Sequence, residues 1–336
     1  MASDRRVLLV GGAGYIGSVL SSHLLENGYS VTCLDQMIYR HQHTVWPLIG
    51  CEDYRFIRGD MGNPADLERA LEDVRHVVIL AGLVGDPITK KYPLESEAIN
   101  LQGVRTLLDG LAGKQLERVI FVSTCSNYGL IPESVEATED YELKPLSLYA
   151  KHKVEIEQRL LGLKDKVDYS ATVLRFATAF GLSPRMRFDL TVSEFTRELY
   201  LGHELLVFDA HTWRPYCHVK DLSEAIRCVL EAKPDSVHFE VFNVGGELNN
   251  CTKQMIVDEI MRQIPKGKVK YQEYGSDPRN YRVSFKKIRE QLGFSIQYSI
   301  RRGVEELLDA LREGVFDNVE SQSCWFGNYE IFVGGR

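Results

Sequence analysis

A phenol and an ammonium stand four residues apart in Tyr149-Ala150-Lys151-His152-Lys153. On a helix those positions share a face, so Lys153 can sit beside Tyr149. A neighbouring cation favours the phenolate, and the expectation is a tyrosine pKa lowered towards neutrality. A phenol tuned in that way carries protons, and proton transfer at a carbinol oxygen is half of an alcohol oxidation. The other half, a hydride acceptor, is suggested by Gly11-Gly12-Ala13-Gly14-Tyr15-Ile16-Gly17. Glycines at this spacing let backbone N–H groups approach a dinucleotide pyrophosphate at the positive end of a helix. Asp35 lies 24 residues beyond Gly11, where a carboxylate accepts from a ribose 2′-hydroxyl and repels a 2′-phosphate. NAD is therefore expected in preference to NADP.

Further groups fall at the ends of apolar runs, where doubly wound sheets bind ligands. Asp60 in Gly59-Asp60-Met61 can reach an adenine edge, and the backbone of Leu80-Ala81-Gly82 can come close to the cofactor. Phe121-Val122-Ser123-Thr124-Cys125-Ser126 brings hydroxyls to the same edge. A hydroxyl there can bond a substrate hydroxyl and the tyrosine oxygen together, aligning the proton path.

The elements that must position these groups follow from apolar periodicity. Strands are expected at residues 7–10, 30–35, 54–58, 76–80, 118–123 and 170–175. Helices are expected at 14–27, ended by Gly28, and at 63–71, 94–111 and 149–161, with Pro64 suited to a first helical position. This alternation predicts a Rossmann-type, doubly wound parallel α/β sheet with right-handed crossovers over residues 1–181. Residues 182–336 read as a smaller mixed α/β lobe over the carboxyl ends of the strands, with helical periodicity at 189–201, 219–231 and 253–263. Pro184, Pro215, Pro234, Pro265 and Pro278 punctuate it. The last fifteen residues show no period.

Composition removes other classes. The 336 residues are 44% hydrophobic, enough for a large core, and carry a net charge of −7 with scattered basic residues. No nucleic-acid groove is expected. No run of about 18 apolar residues suggests a membrane span. The start, Met1-Ala2-Ser3-Asp4-Arg5-Arg6, has no signal-peptide pattern. Seven cysteines without a Cys-x-x-Cys fit free thiols in a reducing cytoplasm. His41 and His43 lack companions at ligand spacing, so no metal is expected.

Taken together, Gly11-x-x-Gly14-x-x-Gly17, Asp35, Asp60-Met61, Thr124, Tyr149-x-x-x-Lys153 and Arg214-Pro215-Tyr216-Cys217-His218-Val219-Lys220-Asp221 resemble the extended short-chain dehydrogenase/reductases. More narrowly, they resemble the NAD-dependent epimerase/dehydratase family acting on nucleotide sugars, from Val7 to about Leu311. The resemblance implies catalytic roles for Thr124, Tyr149 and Lys153. Tyr149 would take a sugar hydroxyl proton, usually at C4, while hydride passes to NAD. Cofactor contacts are implied at Gly11, Gly14, Tyr15, Ile16, Gly17 and Asp35. They continue at Asp60, Met61, Leu80, Ala81, Gly82 and Phe176, besides Tyr149 and Lys153. The nucleotide sugar is implied to meet Thr124 and Ser126, Thr178 where the family usually has Asn, and Arg187, Asp189 and Leu190. Arg214 and Arg279 are implied to bind its diphosphate.

Departures from the pattern matter as well. Cys125 and Ser126 stand where the 4,6-dehydratases carry Asp-Glu, so dehydration is not expected. Small or hydroxylic residues there suit a 4-epimerase. Cys125 could instead act as an acid/base in 3- or 5-epimerisation. Ser183-Pro184-Arg185-Met186-Arg187-Phe188-Asp189-Leu190 and Leu83-Val84-Gly85-Asp86-Pro87 resemble a subgroup that includes a GDP-heptose 4-dehydrogenase, in which the keto sugar is released. A dinucleotide-binding regulatory protein is the non-enzymatic alternative. The helix at 94–111 and the one after Tyr149 form a four-helix dimer interface in such proteins, which implies a homodimer.

Overall fold

A computed structural model describes residues 5–275 and 279–332. Residues 1–4, read above as lacking a targeting signal, lie outside the described residues, as do Pro278 and the end of the final fifteen. Its centre is a seven-stranded sheet in which every neighbouring pair is parallel. Five strands come early: β1 (Arg6–Val10), β2 (Ser30–Asp35), β3 (Tyr54–Arg58), β4 (His76–Ile79) and β5 (Arg118–Thr124). The order across the sheet is Glu240–Val244, Ser170–Phe176, β5, β4, β1, β2, β3. It reverses beside β1, the point at which a doubly wound sheet opens a crevice at its carboxyl edge. β4 and β5 are buried throughout, as strands covered on both faces must be.

Helix α1 (Tyr15–Glu26) buries Leu20 and Leu24 against the sheet and ends where Gly28 takes a positive φ of 74°. The helix Val219–Glu231 buries Val219, Leu222, Ile226 and Val229, a stripe at helical spacing. Leu222, Ile226 and Val229 of that stripe join Leu20 and Leu24 of α1 in one core. The chain thus returns to the sheet after residue 181: Val219–Glu231 covers it, and Glu240–Val244 pairs with Ser170–Phe176. That last strand was not expected from the sequence. Smaller sheets join Asn250–Thr252, Trp213–His218 and Thr178–Phe180, and pair Lys268–Gln272 with Glu204–Phe208. No helix among the described residues is long and apolar enough to cross a membrane.

The single helix expected at 94–111 is instead three pieces. Pro93–Glu97 and Val104–Gly110 are α-helical, and the intervening Ala98–Gly103 widens into a π-turn. The wider turn brings Asn100 inward, where its amide bonds both the N–H (2.7 Å) and the carbonyl (3.0 Å) of Leu83. Side-chain insertion of this kind is a known cause of such turns.

The final residues also acquire a place. After a short 3₁₀ segment, Glu320–Trp325, the chain crosses the carboxyl edge of the sheet. Phe332 N–H donates to the Ile38 carbonyl (2.7 Å), and the Asn328 amide donates to Val84 (2.9 Å). The tail therefore spans from the loop after β2 to the loop after β4.

Candidate active site

A cavity of about 430 Å³ opens at the carboxyl edge of the sheet. The glycine turn forms its floor. A Cβ at Gly11, where φ is +83°, would meet the Ala81 backbone at 2.7 Å, and one at Gly17 would meet the Gly11 carbonyl at 2.6 Å. These two glycines let strand, turn and helix close on one another. Gly14 differs: it precedes α1 without a side-chain cap, and a Cβ there would meet nothing nearer than 3.4 Å. Its bare backbone leaves the first-turn N–H groups of α1 open to an anion. Asp35 accepts from the N–H groups of Ala13 (3.1 Å) and Met37 (2.8 Å), and His41 stands 3.6 Å away. Burial alone would raise this carboxyl; the neighbouring His41 ring and bonds from the two backbone groups bring it below the usual carboxylate range. It stays an ionised acceptor, as a ribose hydroxyl requires. The floor fits a dinucleotide.

Tyr149 and Lys153 lie on one wall. Ser147 caps their helix, Leu148–Leu161, by accepting from Ala150 N–H at 3.2 Å. That cap places Tyr149 in the first turn and Lys153 one turn on. Lys153 Nζ donates to the Val122 carbonyl (2.7 Å) and stands 5.9 Å from the centre of the Tyr149 ring. The expected lowering of the tyrosine pKa is not found. Burial pushes the Tyr149 phenol well above its ordinary value; Arg187, Thr124 and Arg279 oppose this, and Asp86 adds to it. Burial also draws Lys153 down to about 8. Desolvation is the largest influence on each of the two groups.

Thr124, Ser126, Thr178 and Phe176 line the cavity beside Tyr149. Ser126 Oγ accepts from Arg279 (3.1 Å) and meets the Tyr281 hydroxyl (3.3 Å). Arg279 in turn pairs with Asp86 at 3.3 Å. Arg214 also faces the cavity, donates to the Arg279 carbonyl and lies over the Tyr281 ring. Arg187 pairs with Asp189, its Nε 3.0 Å from Oδ1, beside Leu190. Tyr15, Ile16, Met61, Leu80, Ala81 and Gly82 complete the dinucleotide side.

Two expected residues are placed elsewhere. Cys125 is fully buried behind the cavity, and its thiol bonds the Arg175 carbonyl (3.1 Å). Burial pushes that thiol far up, which leaves it a poor proton carrier. In the 3₁₀ turn Cys125–Tyr128 the cysteine packs into the core while Ser126 faces out. Asp60 is exposed and accepts from Gly62 N–H (2.7 Å), so it shapes the turn after β3 and does not line the cavity.

Sequence reasoning missed Tyr39, Asp86, Arg185, Asn328 and Tyr329, all of which line the cavity. Asp86-Pro87 opens a short helix, and proline at a first helical turn was a usable signal for it. Asn328 and Tyr329 lie in the tail, which has no period to read.

The model of the NAD dependent epimerase/dehydratase family matches residues 7–245. A UDP-glucose 4-epimerase of Corynebacterium glutamicum is 27% identical over 320 residues, covering 90% of this chain and 94% of that protein. Among solved structures, a UDP-glucuronic acid 4-epimerase from Bacillus cereus, in complex with UDP-glucuronic acid and NAD, is similar with a TM-score of 0.83. It is 25% identical, covering 92% of this chain and 99% of that one. The UDP-glucose 4-epimerase of Thermotoga maritima with UDP-glucose gives 0.81 at 25% identity, with the same coverage of 92% and 99%. With the glycine turn, the Tyr149–Lys153 wall and a family match over most of its length, the chain belongs to the NAD-dependent epimerase/dehydratase family, an enzyme family of the extended short-chain dehydrogenase/reductases.

Proposed function

We propose that the chain is a nucleotide-sugar 4-epimerase that works through a 4-keto sugar, with a UDP-sugar as substrate. The observation that carries this reading is the Tyr149 phenol, facing the same cavity as Thr124 and the glycine turn. Tyr149 takes the C4 hydroxyl proton and later returns it, and Thr124 aligns the path. Lys153 holds its charge against the same wall and reaches towards the nicotinamide ribose. NAD, when bound, supplies the hydride acceptor and donor. Arg214 and Arg279 hold the nucleotide diphosphate, and Arg187, Asp189 and Leu190 border the sugar. These five groups all come after residue 181, and we assign substrate binding chiefly to that part of the chain; residues 1–181, with the returning helix Val219–Glu231 and strand Glu240–Val244, form the cofactor side.

The position of Cys125 favours 4-epimerisation over 3- or 5-epimerisation, because a core thiol cannot serve a carbon acid in the cavity. The test is a panel of UDP-, GDP-, CDP- and dTDP-sugars in deuterated water, read by mass and proton NMR. The expected product is a C4 epimer without solvent deuterium, formed also by Cys125→Ala. Deuterium at C3 or C5, or a released ketone, overturns the proposal.

A homodimer is proposed through the helices Pro93–Glu97, Val104–Gly110 and Leu148–Leu161, which lie side by side. Within one chain Arg159 bonds Asp109 at 2.6 Å across them, and Leu94 is 77% exposed, an apolar side chain left for a partner. Sedimentation at micromolar concentration is expected to give twice the 38.2 kDa chain mass; a single 38.2 kDa species counts against the interface.

A further inference from the structure

The cavity wall above the glycine turn holds a cation with no carboxylate at ion-pair distance among the described residues. Arg185 is 2% exposed. Its Nη2 donates to the Gly327 carbonyl (3.1 Å), its guanidinium lies 4.3 Å from the centre of the Tyr39 ring, and its Nε has no partner. Two neighbours fix where it hangs. The Arg185 N–H donates to Ser183 (3.2 Å), and the Ser183 hydroxyl bonds the Tyr15 carbonyl (2.7 Å) and meets Ser18 (3.1 Å), both in the first turn of α1. Tyr39 belongs to the loop after β2, four residues beyond Asp35. Arg185 therefore sits over the start of α1, on the side of the cavity that Asp35 marks.

The tail roofs this corner. Trp325 packs on His43 with ring centres 4.8 Å apart, the Phe326 carbonyl accepts from Phe188 N–H (2.7 Å), and Ile331 packs against the cluster of Tyr39, Leu83 and Ile88. A buried cation is costly unless an opposite charge faces it. Burial, with Arg187 nearby, brings Arg185 down to about 10; Tyr39, Asp189 and Asp35 oppose this, but neither carboxylate comes within ion-pair distance.

We propose that Arg185, roofed by residues 325–332, is an anion subsite for a diphosphate, and that the diphosphate is that of the dinucleotide lying across the glycine turn. The proposal rests on the NAD-dependent reading above. The first-turn N–H groups of α1 face the anion from below, and the Arg185 Nε from above, so the diphosphate is held between a helix end and a full charge. Nucleotide-free protein bears the cost of the unpaired cation, so affinity and apo stability should move in opposite directions on its removal.

Arg185→Gln tests this with no sugar present, so failure of the epimerase reading would not disturb the result. NADH is titrated by fluorescence and UDP by calorimetry, and nucleotide-free protein is melted. The NADH dissociation constant is expected to rise about 10–100-fold. UDP binding should stay within about twofold, and the melting temperature should hold or rise. Unchanged NADH affinity overturns the proposal. So does a loss confined to UDP, which would give the cation to the nucleotide sugar. A lowered melting temperature with loss of both ligands overturns it too, by making Arg185 structural. In the second variant, Ile331→Glu, the charge should lift the roof and speed NADH release by about 10-fold; unchanged release removes the roof from the proposal.

Discussion

Tyr149→Phe is expected to lower turnover by about 10²–10⁴-fold, the worth of a positioned proton carrier, with NAD affinity nearly unchanged. The ring stays, so the buried wall keeps its packing and Lys153 keeps its bond to the Val122 carbonyl. Only the proton path from the sugar oxygen through the phenol is lost. Turnover is read with the nucleotide sugar that the panel identifies, and NAD affinity by direct titration. Near-normal turnover with intact cofactor binding would falsify the role of Tyr149. Loss of cofactor binding alongside turnover would also count against it, since a proton carrier need not hold the dinucleotide.

A second large effect belongs to the pair that braces the catalytic edge from behind. Arg175 donates to Glu157 from Nε (3.1 Å) and Nη2 (2.9 Å), with side chains only 6% and 1% exposed. The same carboxylate accepts from Asn127 (2.7 Å) and from Ser123. Arg175 also reaches the Tyr128 hydroxyl (3.0 Å), which donates to Asn243 (2.7 Å). One network thus ties the end of β5, its 3₁₀ turn, the Tyr149 helix and the strands Ser170–Phe176 and Glu240–Val244. Arg175→Met removes the counter-charge and leaves the Glu157 carboxyl buried without it, a loss of about 3–5 kcal/mol. The double variant Arg175→Met/Glu157→Leu should recover much of it, because no lone charge remains. Reversible urea unfolding reads both. A single variant as stable as wild type would show that the carboxylate finds other company.

Much of the site was legible because its signals are local. Glycine spacing, the acid closing β2 and a phenol–lysine pair four apart depend on neighbours in the chain. The helices Val219–Glu231 and Lys253–Gln263 fall at the residues that periodicity gave. What could not be read depends on distant partners. The direction of Cys125 against Ser126 is set in a 3₁₀ turn, where strand alternation has ended. The raised tyrosine pKa comes from burial, which sequence spacing does not contain. The returning strand Glu240–Val244 is a short apolar run whose neighbour, Ser170–Phe176, lies far back in the chain. Arg185 carries no local signal, because what marks it is a buried Nε without a partner, which only the fold creates.

The Asn100 amide acts as a spare peptide group. Past Ile79 the β4 strand has ended, and the N–H groups of Leu80 and Ala81 both turn to the Val10 carbonyl. Leu83 has no strand beside it, and Asn100 supplies what a strand would: one acceptor and one donor, side by side. The same oxygen stands 2.9 Å from where a Cβ on Gly82 would lie, so it also keeps that position bare at a φ of +153°. Aspartate offers no donor, leucine neither group, and glutamine would push the pair one carbon too far. The edge of the crevice is thus gauged by the phase of a helix seventeen residues downstream. A helix wound without its wide turn would carry that gauge to another face.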